Sequence, residues 1–218
     1  MLFTSVIWLL VFLDNKESLR IDPEPNRDYF ISAIIPAYNE GGGIVKTIRS
    51  LLNQDYPSEL FEVIVVNDGS TDSTRSKCEL LAKKGLIKLI NQPNSGKASA
   101  LNNALKQARG ELVYVLDADS RAKPNSFKSL IGYFNNPRVG AVTSSMQVIN
   151  KDTLLQRVQW LEYLFNNLLR KLMSLFNSLY ITPGPGSIYR KEVLEEVGGF
   201  STETITEDME VAFNIQDH

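Results

Sequence analysis

The chain has 218 residues, 43% of them hydrophobic, with 23 basic and 25 acidic side chains for a formal net charge of −2. That apolar content suffices for one sizeable core, and the near balance of charge provides no long-range field for a nucleic acid, so any bound anion must be held locally. Cys78 is the single cysteine and His218, at the terminus, the single histidine, which excludes an internal disulfide, a Cys/His zinc site and a histidine-based triad.

Residues 1–13 are almost continuously apolar, with Thr4 and Ser5 the only polar members. As a helix they cover ~20 Å, against ~30 Å of bilayer hydrocarbon, so they are too short to span unaided. Three readings stand: a partial membrane anchor, an apolar helix packed on the domain, or a signal-peptide core. The last is disfavoured because no basic residue precedes the run and no small-residue cleavage site comes after it. Lys16 and Arg20 just beyond it favour a cytosolic location for the rest of the chain, if the segment meets a membrane. Pro23 and Pro25 mark a linker, so residues 1–29 are set apart from one domain over 30–218.

From Phe30 onward, short apolar runs alternate with helical spacings. Strands are expected at residues 31–35, 61–66, 86–90 and 112–116, and helices at 44–52, 73–83 and 97–108. Runs that are apolar throughout and separated by helices of about a dozen residues imply an α/β fold: a mostly parallel central sheet with helices on both faces, a three-layer α/β/α. Ligands of such sheets bind at the carboxyl ends of the strands. Further on, a helix is expected at 123–135, a strand at 139–144 and a long amphipathic helix at 152–180. That helix either covers the sheet or lies on a membrane. A strand at 187–190 and helices at 191–197 and 209–215 complete the pattern.

The strand ends carry the chemistry. After the first comes Pro36-Ala-Tyr-Asn-Glu40 and three glycines; after the second, Asn67-Asp-Gly-Ser-Thr-Asp72; after the third, Asn94-Ser-Gly-Lys97; after the fourth, Asp117-Ala-Asp119. Each alone is also good turn or helix-cap chemistry. Together they place on one rim a tyrosine for a base, carboxylates for ribose hydroxyls, a lysine for phosphate and an aspartate pair for a divalent ion. That set describes a nucleoside diphosphate pocket. Strand side chains alternate faces, so Asp117 and Asp119 are expected to point the same way at the strand's end, which suits a divalent ion and serves no packing purpose. No Walker loop or G-x-G-x-x-G is present.

These motifs resemble glycosyltransferase family 2, the inverting nucleotide-sugar transferases of the GT-A fold, from residue 31 to about 216. The resemblance implies that Pro36, Ala37, Tyr38, Glu40 and Asp68 lie against the nucleoside. It implies that Gly96 and Lys97 lie near the diphosphate, and that Asp117, Ala118 and Asp119 form the D-x-D motif, with Asp119 and Asp117 on Mg2+ or Mn2+. Residues 30–120 are then the nucleotide-binding half and 121–218 the acceptor and catalytic half. Thr182-Pro-Gly-Pro-Gly186 is similar to the segment lining the acceptor and donor-sugar side, through Gly184, Pro185 and Gly186. Thr206-Glu-Asp208 is similar to the family's T-E-D, which places Glu207 and Asp208 at the catalytic position with Asp208 as general base. Spacing alone reads Asp208 as a helix cap.

The implied reaction moves a sugar from a UDP-sugar, a UDP-hexose or UDP-N-acetylhexosamine, to a hydroxyl acceptor such as a growing polysaccharide, with inversion. The runner-up is a lipid-phosphate acceptor with GDP-mannose or UDP-glucose. The membrane synthases of the family carry a Q-x-x-R-W motif that would lie beyond His218. The expectation is therefore a domain truncated at its C-terminal side, from a membrane-associated protein whose catalytic domain is cytosolic. A nucleotidylyltransferase and a non-catalytic nucleotide-binding domain stay open as other classes.

Overall fold

The computed structural model describes residues 2–218 apart from residues 18, 20, 177, 180, 184 and 205. Met1 of the apolar run and Gly184 of the expected sugar-side loop lie outside the described residues. In chain order the elements are α1 (Leu2–Asn15), β1 (Ile31–Ala37), α2 (Ile44–Leu52), β2 (Phe61–Asp68), α3 (Thr74–Lys83), β3 (Lys88–Gln92) and α4 (Lys97–Leu105). They continue with β4 (Leu112–Val115), α5 (Ser126–Ile131), β5 (Ala141–Thr143), α6 (Leu154–Ser174), β6 (Ser187–Arg190), α7 (Lys191–Glu196) and α8 (Glu207–Asp217). The chain divides into two compact units, residues 1–23 with 145–180 and residues 24–144 with 181–218.

The larger unit is built on a six-stranded sheet of order β3-β2-β1-β4-β6-β5. The pairs β1–β2, β1–β4 and β2–β3 are parallel, and β6 runs antiparallel to both β4 and β5. Because strand side chains alternate faces, each apolar strand feeds two cores. Ile31, Ala33, Ile35, Val63, Val65, Leu112 and Tyr114 pack with Ile44, Ile48 and Leu51 of α2 and Phe127 and Ile131 of α5. Ile34, Ile64, Val66, Val113, Val115 and Tyr189 pack with Ala100, Leu101, Ala104 and Leu105 of α4, Leu194 of α7 and Val211 of α8. This is the expected mostly parallel, three-layer α/β arrangement.

The elements differ from expectation at their ends, for local reasons. β1 runs on through Pro36, which pairs in register with Val66. Ile34 O accepts from Leu116 N at 3.0 Å, so the N–H that Pro36 lacks faces the side where β4 has already ended. Residues 123–135 form not one helix but α5 followed by a 3-10 turn over Gly132–Asn135. β4 stops at Val115, so Asp117 and Asp119 sit in a turn closed by Ser120 N donating to Asp117 O at 3.0 Å, not on the strand. The face-sharing argument for that pair therefore does not apply.

The smaller unit contains α1 and α6. Trp8 and Phe176 meet edge to face with centroids 6.1 Å apart, and Lys171 Nζ donates to Leu19 O at 2.6 Å. A capping box between Thr153 and Gln156 starts α6. Leu154 at 79% and Phe165 at 59% are exposed on it, while Leu172 is buried. Among the described residues no helix is long and apolar enough to cross a membrane.

Gly110 shows how closely β1 and the approach to β4 are packed: its N–H donates to Ser32 Oγ at 2.8 Å, and a Cβ there would lie 2.4 Å from Ser32 N and 2.6 Å from Leu112 O. Since backbone atoms cannot step aside, Gly110→Ala is expected to cost about 1–3 kcal/mol in urea unfolding. Gly42→Ala, with open space around the added methyl, is expected to stay within about 0.5 kcal/mol of the parent.

Candidate active site

The first two strand ends are stitched together by side chains. Asn39 occupies the left-handed region (φ 55), which asparagine tolerates, and its Oδ1 accepts from Thr71 N at 2.8 Å while its own N–H donates to Ser70 Oγ at 3.0 Å. Asp72 Oδ2 accepts from Gly41 N at 2.9 Å, and its Oδ1 from Thr74 N at 2.9 Å and Thr74 Oγ1 at 2.5 Å. The Thr74 hydroxyl and N–H hold the Asp72 carboxyl below its ordinary pKa. Turn chemistry and site chemistry coincide here: the polar run after β2 fixes the loop that presents Tyr38 and Glu40.

Asp68, at the end of β2, is 4% exposed. Its Oδ1 accepts from Gln92 Nε2 at 2.8 Å and Ser95 N at 2.9 Å, and its Oδ2 from Gly96 N at 2.9 Å. A buried carboxylate needs such donors, and these three shape the turn that opens α4. Gly96 has φ 90, beyond what a side chain tolerates easily, and is the N-cap of α4; Lys97 is its first residue.

Lys97 Nζ lies 2.9 Å from Asp117 Oδ1 and 3.2 Å from Glu207 Oε1. Desolvation alone would lower the ammonium's pKa, but Asp117 and then Glu207 outweigh it and hold it above its ordinary value. The turn carrying Asp117 and Asp119 is braced by α2, where Thr47 Oγ1 donates to Ala118 O at 2.7 Å and Ser50 Oγ accepts from Ala122 N at 3.1 Å.

Glu207 and Asp208 lie inside the first turn of α8, whose N-cap is Thr206, so Asp208 is not the cap that spacing alone suggests. The Asp208 carbonyl accepts from Thr182 N at 3.2 Å and Thr182 Oγ1 at 2.9 Å, tying the sugar-side loop to this helix. Burial and then the Glu207 charge push the Asp208 carboxyl above its ordinary pKa, partly offset by the Met209 N–H and Lys97. Gly186 (φ 83) donates its N–H to Val115 O at 2.8 Å, and a Cβ there would lie 2.4 Å from Ser144 Oγ.

Pro36, Ala37, Tyr38, Glu40, Asp68, Lys97, Ala100, Asp117, Ala118 and Asp119 line one pocket of about 300 Å3. Nine of these ten were expected from the sequence; Ala100, one turn into α4, was not. Gly96, Pro185, Gly186, Glu207 and Asp208 are not among the lining residues, although Gly96 is bonded to Asp68 and Glu207 to Lys97. The Lys97–Glu207 pair was missed as a contact because the two residues are 110 positions apart in the chain. The same holds for Asn102, whose amide bonds both the O and the N of Phe200 at 2.7 and 2.9 Å.

Four carboxylates and one ammonium line the pocket. An anionic diphosphate entering that wall needs an accompanying cation, and aspartate oxygens are hard donors suited to Mg2+ or Mn2+. Among the described residues no cluster of three or more His, Cys, Asp or Glu side chains is placed to hold a metal by protein ligands alone. Two aspartates fit a cation whose coordination is completed by phosphate oxygens and water.

Replacing Asp68 by Asn puts an amide NH2 where one oxygen accepts hydrogen bonds, stranding a buried donor. Asp68→Asn is expected to lose about 1–3 kcal/mol in urea unfolding. Faster hydrogen exchange over residues 93–99, with the rest of the sheet unchanged, is the accompanying local signature.

The Glycosyl transferase family 2 model matches residues 32–198. A poly-beta-1,6-N-acetyl-D-glucosamine synthase of Staphylococcus epidermidis is 31% identical over 225 residues, covering 98% of this chain and 54% of the relative. The Staphylococcus aureus synthase of the same name is also 31% identical, over 227 residues, with the same coverage. The chain thus spans about half the length of the curated relatives it matches. Among solved structures, the mannosyltransferase PcManGT of Pyrobaculum calidifontis, in complex with GDP-Man and Mn2+, superposes with a TM-score of 0.74 at 29% identity, covering 95% of this chain and 59% of that one. Staphylococcus aureus TarS gives 0.66 at 27%, covering 85% of this chain and 33% of that one. The family match extends over most of the chain and both kinds of relative agree with it: the chain belongs to glycosyltransferase family 2 and has the GT-A type of α/β fold.

Proposed function

We propose that this chain is the catalytic domain of an inverting glycosyltransferase that takes a UDP-N-acetylhexosamine, N-acetylglucosamine foremost, and passes the sugar to a hydroxyl of a growing polysaccharide. The observation that carries the reading is the convergence of Tyr38, Lys97, Asp117 and Asp119, from different strand ends, on one pocket, with Lys97 bonded onward to the helix of Asp208. The likeness to 31% identical poly-beta-1,6-N-acetyl-D-glucosamine synthases supports the choice of sugar and acceptor.

Tyr38, half exposed at the pocket mouth, offers a ring on which a uracil can stack. Lys97 supplies a fixed positive charge for the diphosphate. Asp117 and Asp119 would hold Mg2+ or Mn2+, which when bound offsets the charge growing on the departing nucleoside diphosphate. Asp208 accepts the acceptor hydroxyl's proton as that oxygen attacks the anomeric carbon from the face opposite the leaving group, which inverts the centre. A carboxylate whose pKa is raised by burial and by Glu207 is the stronger base for that step. Membrane association is part of the proposal, supported by the apolar α1 and the exposed apolar residues of α6. A second reading, a GDP-mannose donor with a lipid-phosphate acceptor, is favoured by one observation, the likeness to the mannosyltransferase bound to GDP-Man.

Calorimetric titration with Mn2+ is expected to show UDP binding that a chelator abolishes and that Asp119→Ala weakens by about tenfold or more, with GDP the weaker ligand. Equal UDP affinity with and without chelator removes the metal from the proposal, and tighter GDP binding selects the second reading. Asp208→Asn is expected to lower turnover by roughly 10²–10⁴ while leaving UDP affinity within about twofold. Activity needs Asp208 ionised, so it falls as pH drops through the raised pKa. Glu207→Gln removes a negative neighbour that raises that pKa, so the acid limb of the kcat/KM profile moves to lower pH.

A further inference from the structure

An ammonium in the first turn of a helix opposes the positive end of the helix dipole, so the position of Lys97 at the start of α4 does nothing for helix stability. Two carboxylates hold it there, Asp117 at 2.9 Å and Glu207 at 3.2 Å. Asp117 is one of the two aspartates offered to a divalent cation, and its Oδ1 cannot both accept from an ammonium and ligate a dication beside it without severe like-charge repulsion. Glu207 has no such second duty: it does not line the pocket, is 15% exposed, and pairs with Lys97.

Resting on the donor site proposed above, we infer that Lys97 is the built-in counter-cation of the metal corner, and that Glu207 is the positioning residue that retains it when Asp117 turns to a diphosphate-bound divalent cation. Before the donor arrives, Lys97 neutralises Asp117 and keeps the carboxylate wall from collecting stray cations. For Asp117 to ligate a cation in the absence of a diphosphate, Lys97 would have to give up Asp117 and keep Glu207 as its one remaining carboxylate of the two. With a diphosphate bound, the released Lys97 ammonium would have an anion to pair with, and its bond to Glu207 would keep it at the start of α4. The charge that opposes the metal thereby favours the diphosphate, and the two ligands bind as a cooperative pair; by linkage each raises the other's affinity equally. Glu207 then acts through Lys97, touching neither donor nor acceptor.

The test separates metal binding from turnover. Mn2+ is titrated into the whole chain without nucleotide and the free ion is followed by electron paramagnetic resonance. Lys97→Met is expected to bind Mn2+ roughly fivefold more tightly than wild type, and Lys97→Arg, which keeps the cation, to match wild type. Calorimetry of UDP at saturating Mn2+ is expected to show about tenfold weaker binding by both Lys97→Met and Glu207→Gln. Glu207→Gln, with Lys97 still on Asp117, is expected to bind Mn2+ alone no more tightly than wild type. Equal Mn2+ affinity in wild type and Lys97→Met, with Mn2+-dependent UDP binding intact in wild type, overturns the handover and leaves the donor site standing. No Mn2+-dependent UDP binding by wild type overturns the donor site and the handover with it. If Lys97→Met does not fold, Lys97→Gln, which keeps a hydrogen-bonding side chain without the charge, replaces it in the same comparison.

Discussion

Asp68 is a buried carboxylate at the end of β2 whose two oxygens are taken up by Gln92, Ser95 N and Gly96 N, and the start of α4 depends on it. A buried charge without such donors is costly; with them it becomes a rigid corner. That corner sets where α4 begins, and the first side chain of α4 is Lys97. Through Lys97 the same corner reaches Asp117 on the turn after β4 and Glu207 on α8. A constraint at one strand end thus orders side chains from three other parts of the chain.

The sheet makes this possible because its four parallel strands, β3, β2, β1 and β4, end on one edge, and because β1, β2 and β4 are apolar on both faces. β1, flanked by β2 and β4, carries buried side chains into both core clusters, leaving polar groups no place but the strand ends. The antiparallel β6, inserted between β4 and β5, brings the loop before it back against Val115 and, through Thr182, against the carbonyl of Asp208. The base candidate is therefore joined to the donor side by main chain as well as by the Lys97–Glu207 pair.

The electrostatics are graded across the site. Asp72, hydrogen-bonded by Thr74, is held low in pKa and serves the loops; Asp208, desolvated and beside Glu207, is pushed up. Two aspartates in one unit are thereby driven in opposite directions, one by hydrogen-bond donors and the other by burial and a like charge. Lys97, raised by its two carboxylates, stays cationic despite its partial burial.

The alternation of apolar runs with helical spacings determined the α/β class, the order of the strands along the chain and the polar residues at their ends, because period-2 and period-3.6 burial are written locally. The sequence also held the residues that line the pocket, as short runs after each strand. Tertiary structure alone decided the rest. β4 stops at Val115, paired with Ile34, although β1 runs on to Ala37, which leaves Asp117 and Asp119 off the strand and in a turn. Whether the α6 stripe is covered depends on what packs against it, and composition is the same in either case. The bond from Lys97 to Glu207 joins residues far apart in sequence, and only the folding of α8 beside the start of α4 brings those charges within reach.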